Sequence, residues 1–283
     1  MLFRSPEGRS DAISWIKIGS FYFQPSELLK IGFMITFSVH LDYIKHDINK
    51  FKNVILLGIH AFIAVALVIL TGDLGSALVF MVMTIGMLFS AGLYLRYFLF
   101  GAGAVALVAP ILWFEFFSDF QKQRFLAIYS PSSLTEATYD EVIFQQQQGV
   151  NAIGSGKILG QGLFEGTYTQ NGLVPESRND MIFTVVGEEL GLVGAVGLLV
   201  VFFMLMLFCI KVAKNSPNRF GCYLVIGIIS LISVQVLVNV AVVSASIPPT
   251  GLPLPFISAG STSLVVLMSA IGVVLNVNKQ RIK

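Results

Sequence analysis

Seven runs of mostly apolar residues decide what this chain can fold into, falling at roughly 25–44, 54–71, 74–93, 97–117, 181–210, 220–245 and 258–277. About 20 such residues make a helix long enough to cross the hydrocarbon core of a bilayer. At that depth every backbone polar group must be satisfied within the protein, which favours helices. The expected fold is therefore an all-α polytopic membrane protein of about seven transmembrane helices. Composition agrees, since only 12% of the residues are charged against about 25% in soluble domains. A net charge of +2, with no basic stripe interleaved with aromatics, gives no reason to expect a nucleic-acid partner. Cys209 and Cys222 lie in or beside apolar runs, and His40, His46 and His60 do not cluster, so no metal site is read from them.

Between the fourth and fifth runs lies one long polar region, 118–180, too long for a plain connector. Lysine and arginine orient the chain. Lys45, Lys50 and Lys52 occupy one short loop, Arg96 another, Lys211, Lys214 and Arg219 a third, and Lys279, Arg281 and Lys283 the tail. All fall on one side if every run crosses, whereas the loops near 71–73 and 246–257 carry neither residue. The C-terminus is thus expected in the cytoplasm, and 118–180 outside as a large extracytoplasmic loop.

The polar residues inside this apolar frame are the candidate site. At Pro175–Gly194 a segment carrying Glu176, Arg178, Asn179 and Asp180 runs into the apolar stretch that begins at Met181 and contains Glu188–Glu189. Carboxylates are costly at membrane depth and mark a site there; the plainer reading is that Asn179 or Asp180 caps a helix. Gln24-Pro25-Ser26-Glu27 opens the first run, and Lys30 follows Glu27 on the same helix face, where the two can pair. Asp73, after Thr71-Gly72, is expected to cap the third helix. Gln145–Gln148 could pass for a low-complexity linker. The glycine-rich segment 152–166 lacks Walker spacing, although its backbone N–H groups could approach an anion. Four prolines between Ile247 and Ser258 predict an irregular loop able to re-enter the membrane. Gln235 and Asn239, one turn apart, are expected to hydrogen-bond between helices.

Taken in order, these segments resemble one family. Trp15 to Gly19 reads W-x-x-x-G, Gln24–Glu27 QPSE, Asp73–Ala77 DLG-x-A, Gln121–Arg124 QKQR and Ala152–Gly156 AIGSG; Pro175–Asp180 reads PE-x-x-x-D, Glu188–Gly191 EELG and Thr250–Ser258 TGLPLPFIS. The chain is identified as a member of the SEDS family (shape, elongation, division and sporulation) of the RodA/FtsW/SpoVE type, with one SEDS-type membrane domain over 1–283. Two departures concern loop shape. Ala259-Gly260-Ser261-Thr262 stands where the family has Tyr or Ser, a Gly-Gly pair and Ser, and Gly72 stands where Pro usually precedes DLG.

The resemblance implies a peptidoglycan glycosyltransferase of the plasma membrane. Such enzymes polymerise lipid II, a disaccharide-peptide on undecaprenyl diphosphate, alongside a class B penicillin-binding protein and other membrane proteins of cell-wall synthesis. It implies that Asp180 is catalytic and that Glu27 and Lys30 line the cavity. The chemistry needs a base for the acceptor hydroxyl, which Arg178 or Arg124 could keep ionised. It also needs positive charge for the leaving diphosphate, from Arg124, Lys157 or a divalent metal. Glu176 and Glu188 complete the set of substrate-contact candidates. Two other functions suit the same residues: a lipid flippase or transporter, and a non-catalytic scaffold that activates a penicillin-binding protein. Finally, seven spans with a cytoplasmic C-terminus leave Arg4, Arg9 and Lys17 outside, against the positive-inside rule. The family has ten helices, with the Trp15 segment directly after the third. The expectation is a shortened chain lacking the first three.

Overall fold

The computed structural model describes residues 15–18, 21–117, 122–123, 125–126 and 143–280. Arg124, Arg281 and Lys283 lie outside the described residues. The described chain consists of helices joined by turns and irregular segments, with one short antiparallel hairpin, β1 (Ile16–Ile18) with β2 (Phe21–Phe23), in which Ile16 lies opposite Phe23.

Helix α1 (Pro25–Tyr43) follows at once, with Pro25 in its first turn, where a missing N–H costs nothing. Its buried residues are Ser26, Glu27, Lys30, Phe33, Met34, Phe37, Ser38 and Leu41. Steps of three and four residues put them on one stripe, and Leu28, Ile35 and Val39 are exposed elsewhere on the helix. Helix α2 (Phe51–Leu70) turns at Thr71-Gly72 into α3 (Leu74–Ser90). Asp73 caps α3 as expected: its Oδ1 accepts from the Ser76 N–H at 2.8 Å. Its Oδ2 accepts from the Gln24 side-chain amide at 2.9 Å, which ties the start of α1 to the start of α3. Phe33 stacks on Phe37 with centroids 5.0 Å apart and meets Phe80 edge-on at 5.4 Å.

Helix α4 (Leu95–Ile111) contains Pro110 and passes into a π-helical turn at Leu112–Phe116, as happens where proline interrupts the hydrogen-bond ladder. Beyond it come α5 (Phe144–Ser155), α6 (Ile182–Glu189), α7 (Gly191–Lys214), α8 (Arg219–Val243) and α9 (Ser261–Gln280). Helices α3 and α8 approach closely enough that a Cβ at Gly86 would collide with Ser230.

Among the described residues, five helical segments are long and apolar enough to cross a bilayer: Phe51–Leu70, Leu95–Glu115, Gly191–Lys214, Arg219–Val243 and Ser261–Gln280. Two shorter helices, α1 and α3, occupy the remaining expected positions, and the protein is a multi-pass helical membrane protein. Asn49 joins two loops expected on one side. Its amide nitrogen donates to Gly92 O at 3.1 Å and its oxygen accepts from the Tyr94 N–H at 2.8 Å.

The expected span 181–210 is not one helix. It is the short α6 and, after Leu190, the spanning α7, which starts at Gly191. Gly191 has φ +66°, and a Cβ there would strike Gly160 N and Ile158 O. The segment 158–160 thus passes hard against the break, which only glycine permits.

Backbone contacts divide the chain into two compact units. The first is drawn from Met1–Ala104, Leu205–Val234 and Ser261–Lys283, and the second from Val105–Met204 and Gln235–Gly260. Glu27 and Lys30 belong to the first; Lys157, Glu176, Arg178, Asp180 and Glu188 belong to the second.

Candidate functional site

The Asp180 turn is built from Pro175 onward. Glu176 takes a left-handed backbone, φ +53°, and its carbonyl accepts from the N–H groups of Asn179 at 2.9 Å and Met181 at 3.2 Å. Its carboxylate accepts from the Asn179 side-chain amide at 2.6 Å. A non-glycine residue in that region costs on the order of 1–3 kcal/mol and persists only where surrounding structure enforces it. Glu176 and Arg178 are exposed, whereas Asp180 is only 8% exposed. Met181, rather than Asn179 or Asp180, holds the N-cap position of α6, with no side-chain capping bond.

Three successive carbonyls of this turn are held, two from the segment 250–259 and one from α8. Arg178 O accepts from the Ala259 N–H at 3.0 Å. Asn179 O accepts from the Ser258 hydroxyl at 2.6 Å, and that hydroxyl oxygen itself accepts from the Leu254 N–H at 2.8 Å. Asp180 O accepts from the Asn239 amide at 2.8 Å, and the same nitrogen donates to Leu252 O at 2.9 Å. The segment 250–259 is irregular, as its prolines predict. Gln235, also fully buried, has no hydrogen-bond partner on either amide atom among the described residues, unlike the interhelical bond expected of it.

The paired glutamates organise residues 161–170, before α6. Glu188 is 0% exposed. Its Oε1 accepts from the Tyr168 N–H at 2.7 Å and the Thr167 hydroxyl at 3.2 Å. Its Oε2 accepts from the Thr169 N–H at 2.9 Å and hydroxyl at 2.7 Å. Glu189 accepts from the Phe164 N–H at 3.0 Å and the Gln170 amide at 2.6 Å. Burial pushes the Glu188 carboxyl up, but these donors outweigh it and hold the group below its usual range. Glu188, a candidate for substrate contact, has both oxygens bonded to residues 167–169.

The glycine-rich segment serves the same closure. Gln161 N–H and Gly162 N–H donate to the carbonyls of Glu188 and Glu189 at 3.0 and 3.1 Å. A Cβ at Gly156 would strike Gly187 O, and one at Gly160 would strike Glu189 O. The anion met by backbone N–H groups here is the protein's own glutamate. Lys157 sits exposed beside it, its carbonyl accepting from the Leu192 N–H at 2.9 Å. The glutamine run is no linker either. Gln146, on α5, is buried and donates to Val242 O at 3.2 Å and Ile247 O at 2.8 Å, satisfying carbonyls where α8 ends.

In the other unit, Lys30 Nζ meets Glu27 Oε1 at 2.6 Å, with Lys30 0% and Glu27 2% exposed. The pairing anticipated from their spacing is present. Among the described residues no three His, Cys, Asp or Glu side chains converge as a metal site.

The sequence pattern of the cell cycle protein family FtsW/RodA/SpoVE matches residues 3–283. The chain belongs to this family. It is 40% identical over 270 residues to the probable peptidoglycan glycosyltransferase FtsW of Geobacter sulfurreducens, covering 94% of this chain and 70% of that protein. It is 33% identical over 269 residues to the peptidoglycan glycosyltransferase MrdB of Escherichia coli, covering 94% and 71%. Among solved structures, it superposes on a chain of a peptidoglycan synthase complex of coordinated polymerization and crosslinking with a TM-score of 0.80, at 28% identity over 99% of this chain and 76% of that one. The Thermus thermophilus rod shape determining protein RodA gives a TM-score of 0.68 at 27% identity, covering 100% and 73%.

Sequence reasoning missed the roles of Thr167, Thr169, Gln146 and Ser258, all supplied by residues distant in the chain. Asn239 carried a signal, as an amide in a spanning helix, but its partners are loop carbonyls rather than a neighbouring helix.

Proposed function

We propose that this chain is a peptidoglycan glycosyltransferase that builds glycan strands from lipid II at the outer face of the plasma membrane, with its C-terminus in the cytoplasm. One observation supports this above the rest. A family member whose relatives include peptidoglycan glycosyltransferases carries a largely buried carboxylate, Asp180, in a polar turn clamped at three successive carbonyls. A base must be held still to work, and this turn is held.

Asp180 takes the proton of the acceptor sugar hydroxyl as that oxygen bonds to the anomeric carbon of the donor. The bond from that carbon to the diphosphate oxygen breaks, and the electron pair leaves with the diphosphate. A single displacement inverts the anomeric centre. Arg178 and Lys157, both exposed, are the cations proposed for the leaving charge; Arg124 is assigned the same task from the family motif. Glu27 and Lys30, a closed ion pair, suit sugar hydroxyls or amides better than a diphosphate, because the pair carries no net charge. The partner proposed is a crosslinking enzyme of the class B penicillin-binding type, in keeping with the synthase complex that the fold resembles.

The test is polymerisation of lipid II by the purified protein, alone and with such a partner, read as glycan strands on gels. Strands are expected. Lipid II moved across vesicle bilayers without strand formation would make the protein a transporter instead.

A further inference from the structure

Asn239 sits on α8, 1% exposed, and its side chain reaches two segments that regular secondary structure does not hold. Both partners are carbonyls, Asp180 O at 2.8 Å and Leu252 O at 2.9 Å. Carbonyls only accept, so the amide nitrogen must face them and both its hydrogens are used. Ser258 adds a second grip one residue earlier, donating to Asn179 O at 2.6 Å.

We infer that Asn239 is the positioning residue for Asp180, fixing the peptide that carries the base and thereby the point from which its carboxylate reaches the acceptor hydroxyl, with Ser258 as the auxiliary brace. The inference rests on the reading of Asp180 as the base. Burial makes the interaction costly to lose, since removing the amide takes one donor from each of two carbonyls. The same two bonds tie the turn to the proline-rich loop through one amide. Asn239 touches neither sugar nor diphosphate in this scheme, and its loss acts through the geometry of Asp180.

The experiment uses the purified full chain, with its partner where activity requires one, and lipid II as substrate. Asn239→Leu is expected to lower kcat by about 10-fold or more, up to the ~10²-fold that a misplaced catalytic group costs, with KM changed by less than about 3-fold. In an Asp180→Asn background the same substitution is expected to lower the residual rate no further, because a residue acting only through Asp180 has nothing left to position. Ser258→Ala, at a half-exposed position, is expected to show a smaller loss of the same kind, and it keeps the idea testable if the α8 variant does not fold. Wild-type kcat in both Asn239→Leu and Ser258→Ala overturns the inference. So does an equal fractional loss in both backgrounds, which would make Asn239 a general brace. Full activity of Asp180→Asn alone defeats the base assignment, a failure recognisable without any Asn239 variant.

Discussion

Thr169 closes on Glu188 twice, its N–H at 2.9 Å and its hydroxyl at 2.7 Å both meeting Oε2. With Tyr168 and Thr167 on the other oxygen, the carboxylate is the internal template that holds residues 167–169. Its charge needs no outside partner, because charge-assisted bonds from N–H and O–H groups stabilise it in place. Glu188→Gln keeps the shape but turns one acceptor into a donor, setting its amide N–H groups against the backbone N–H of Tyr168 or Thr169, while the threonine hydroxyl beside it can turn to accept. Each unsatisfied buried group costs about 1–3 kcal/mol. The expected result is a lowered melting temperature and faster amide exchange at Tyr168 and Thr169. Unchanged exchange there would contradict the template role.

The same carboxylate gives the loop a pH dependence with a definite sign. Its folded pKa is depressed, so the stabilisation is present above the unfolded value, about 4.3 for glutamate. It is lost as pH falls through the depressed folded value. Amide exchange at Thr169, corrected for intrinsic rate, is expected to show steady protection from neutral pH down to about 4.3 and to lose it at lower pH. In Glu188→Gln that acid-dependent step is expected to vanish.

Glu27 and Lys30 form a buried pair with their charges 2.6 Å apart. Removing one partner leaves the other charged and buried, which costs about 3–5 kcal/mol, whereas replacing both with apolar groups of like volume is often neutral. Glu27→Gln and Lys30→Met are each expected to destabilise more than Glu27→Leu with Lys30→Met together. Thermal melting of the three detergent-purified variants measures this. A double variant less stable than either single one would mean that the residues do not stabilise each other as a pair.

Periodicity and length made the helices legible, because a lipid-facing or core-facing residue is apolar wherever it falls on the helix. The Asp73 cap was legible too, since capping is local: its Ser76 partner lies three residues away. The break at Gly191 was hidden, because Leu190, Leu192 and Val193 continue the apolar run across it. What divides α6 from α7 is the backbone of residues 156–162, brought there by loop closure. The grips on Asn179 and Asp180 were hidden for the same reason, coming from residues 79 and 59 positions away. Sequence motifs pointed to the turn but not to what holds it.

Asp180 is where the reading meets chemistry. The carboxylate is 8% exposed and its carbonyl is fixed by Asn239, while Arg178, two residues before, is open to solvent. Asp180→Asn preserves volume and lets the backbone bond from Asn239 persist, so the turn is expected to keep its shape. An amide cannot take the proton of an attacking hydroxyl, and losing a general base lowers rate by about 10²–10⁴-fold. The variant is therefore expected to melt near wild type and to bind lipid II, yet to make strands at a rate reduced by that factor. The measurement pairs a melting curve with the initial rate of strand formation at saturating lipid II. A variant that melts normally and polymerises at the wild-type rate would strip Asp180 of the base role and leave it as a residue of the turn.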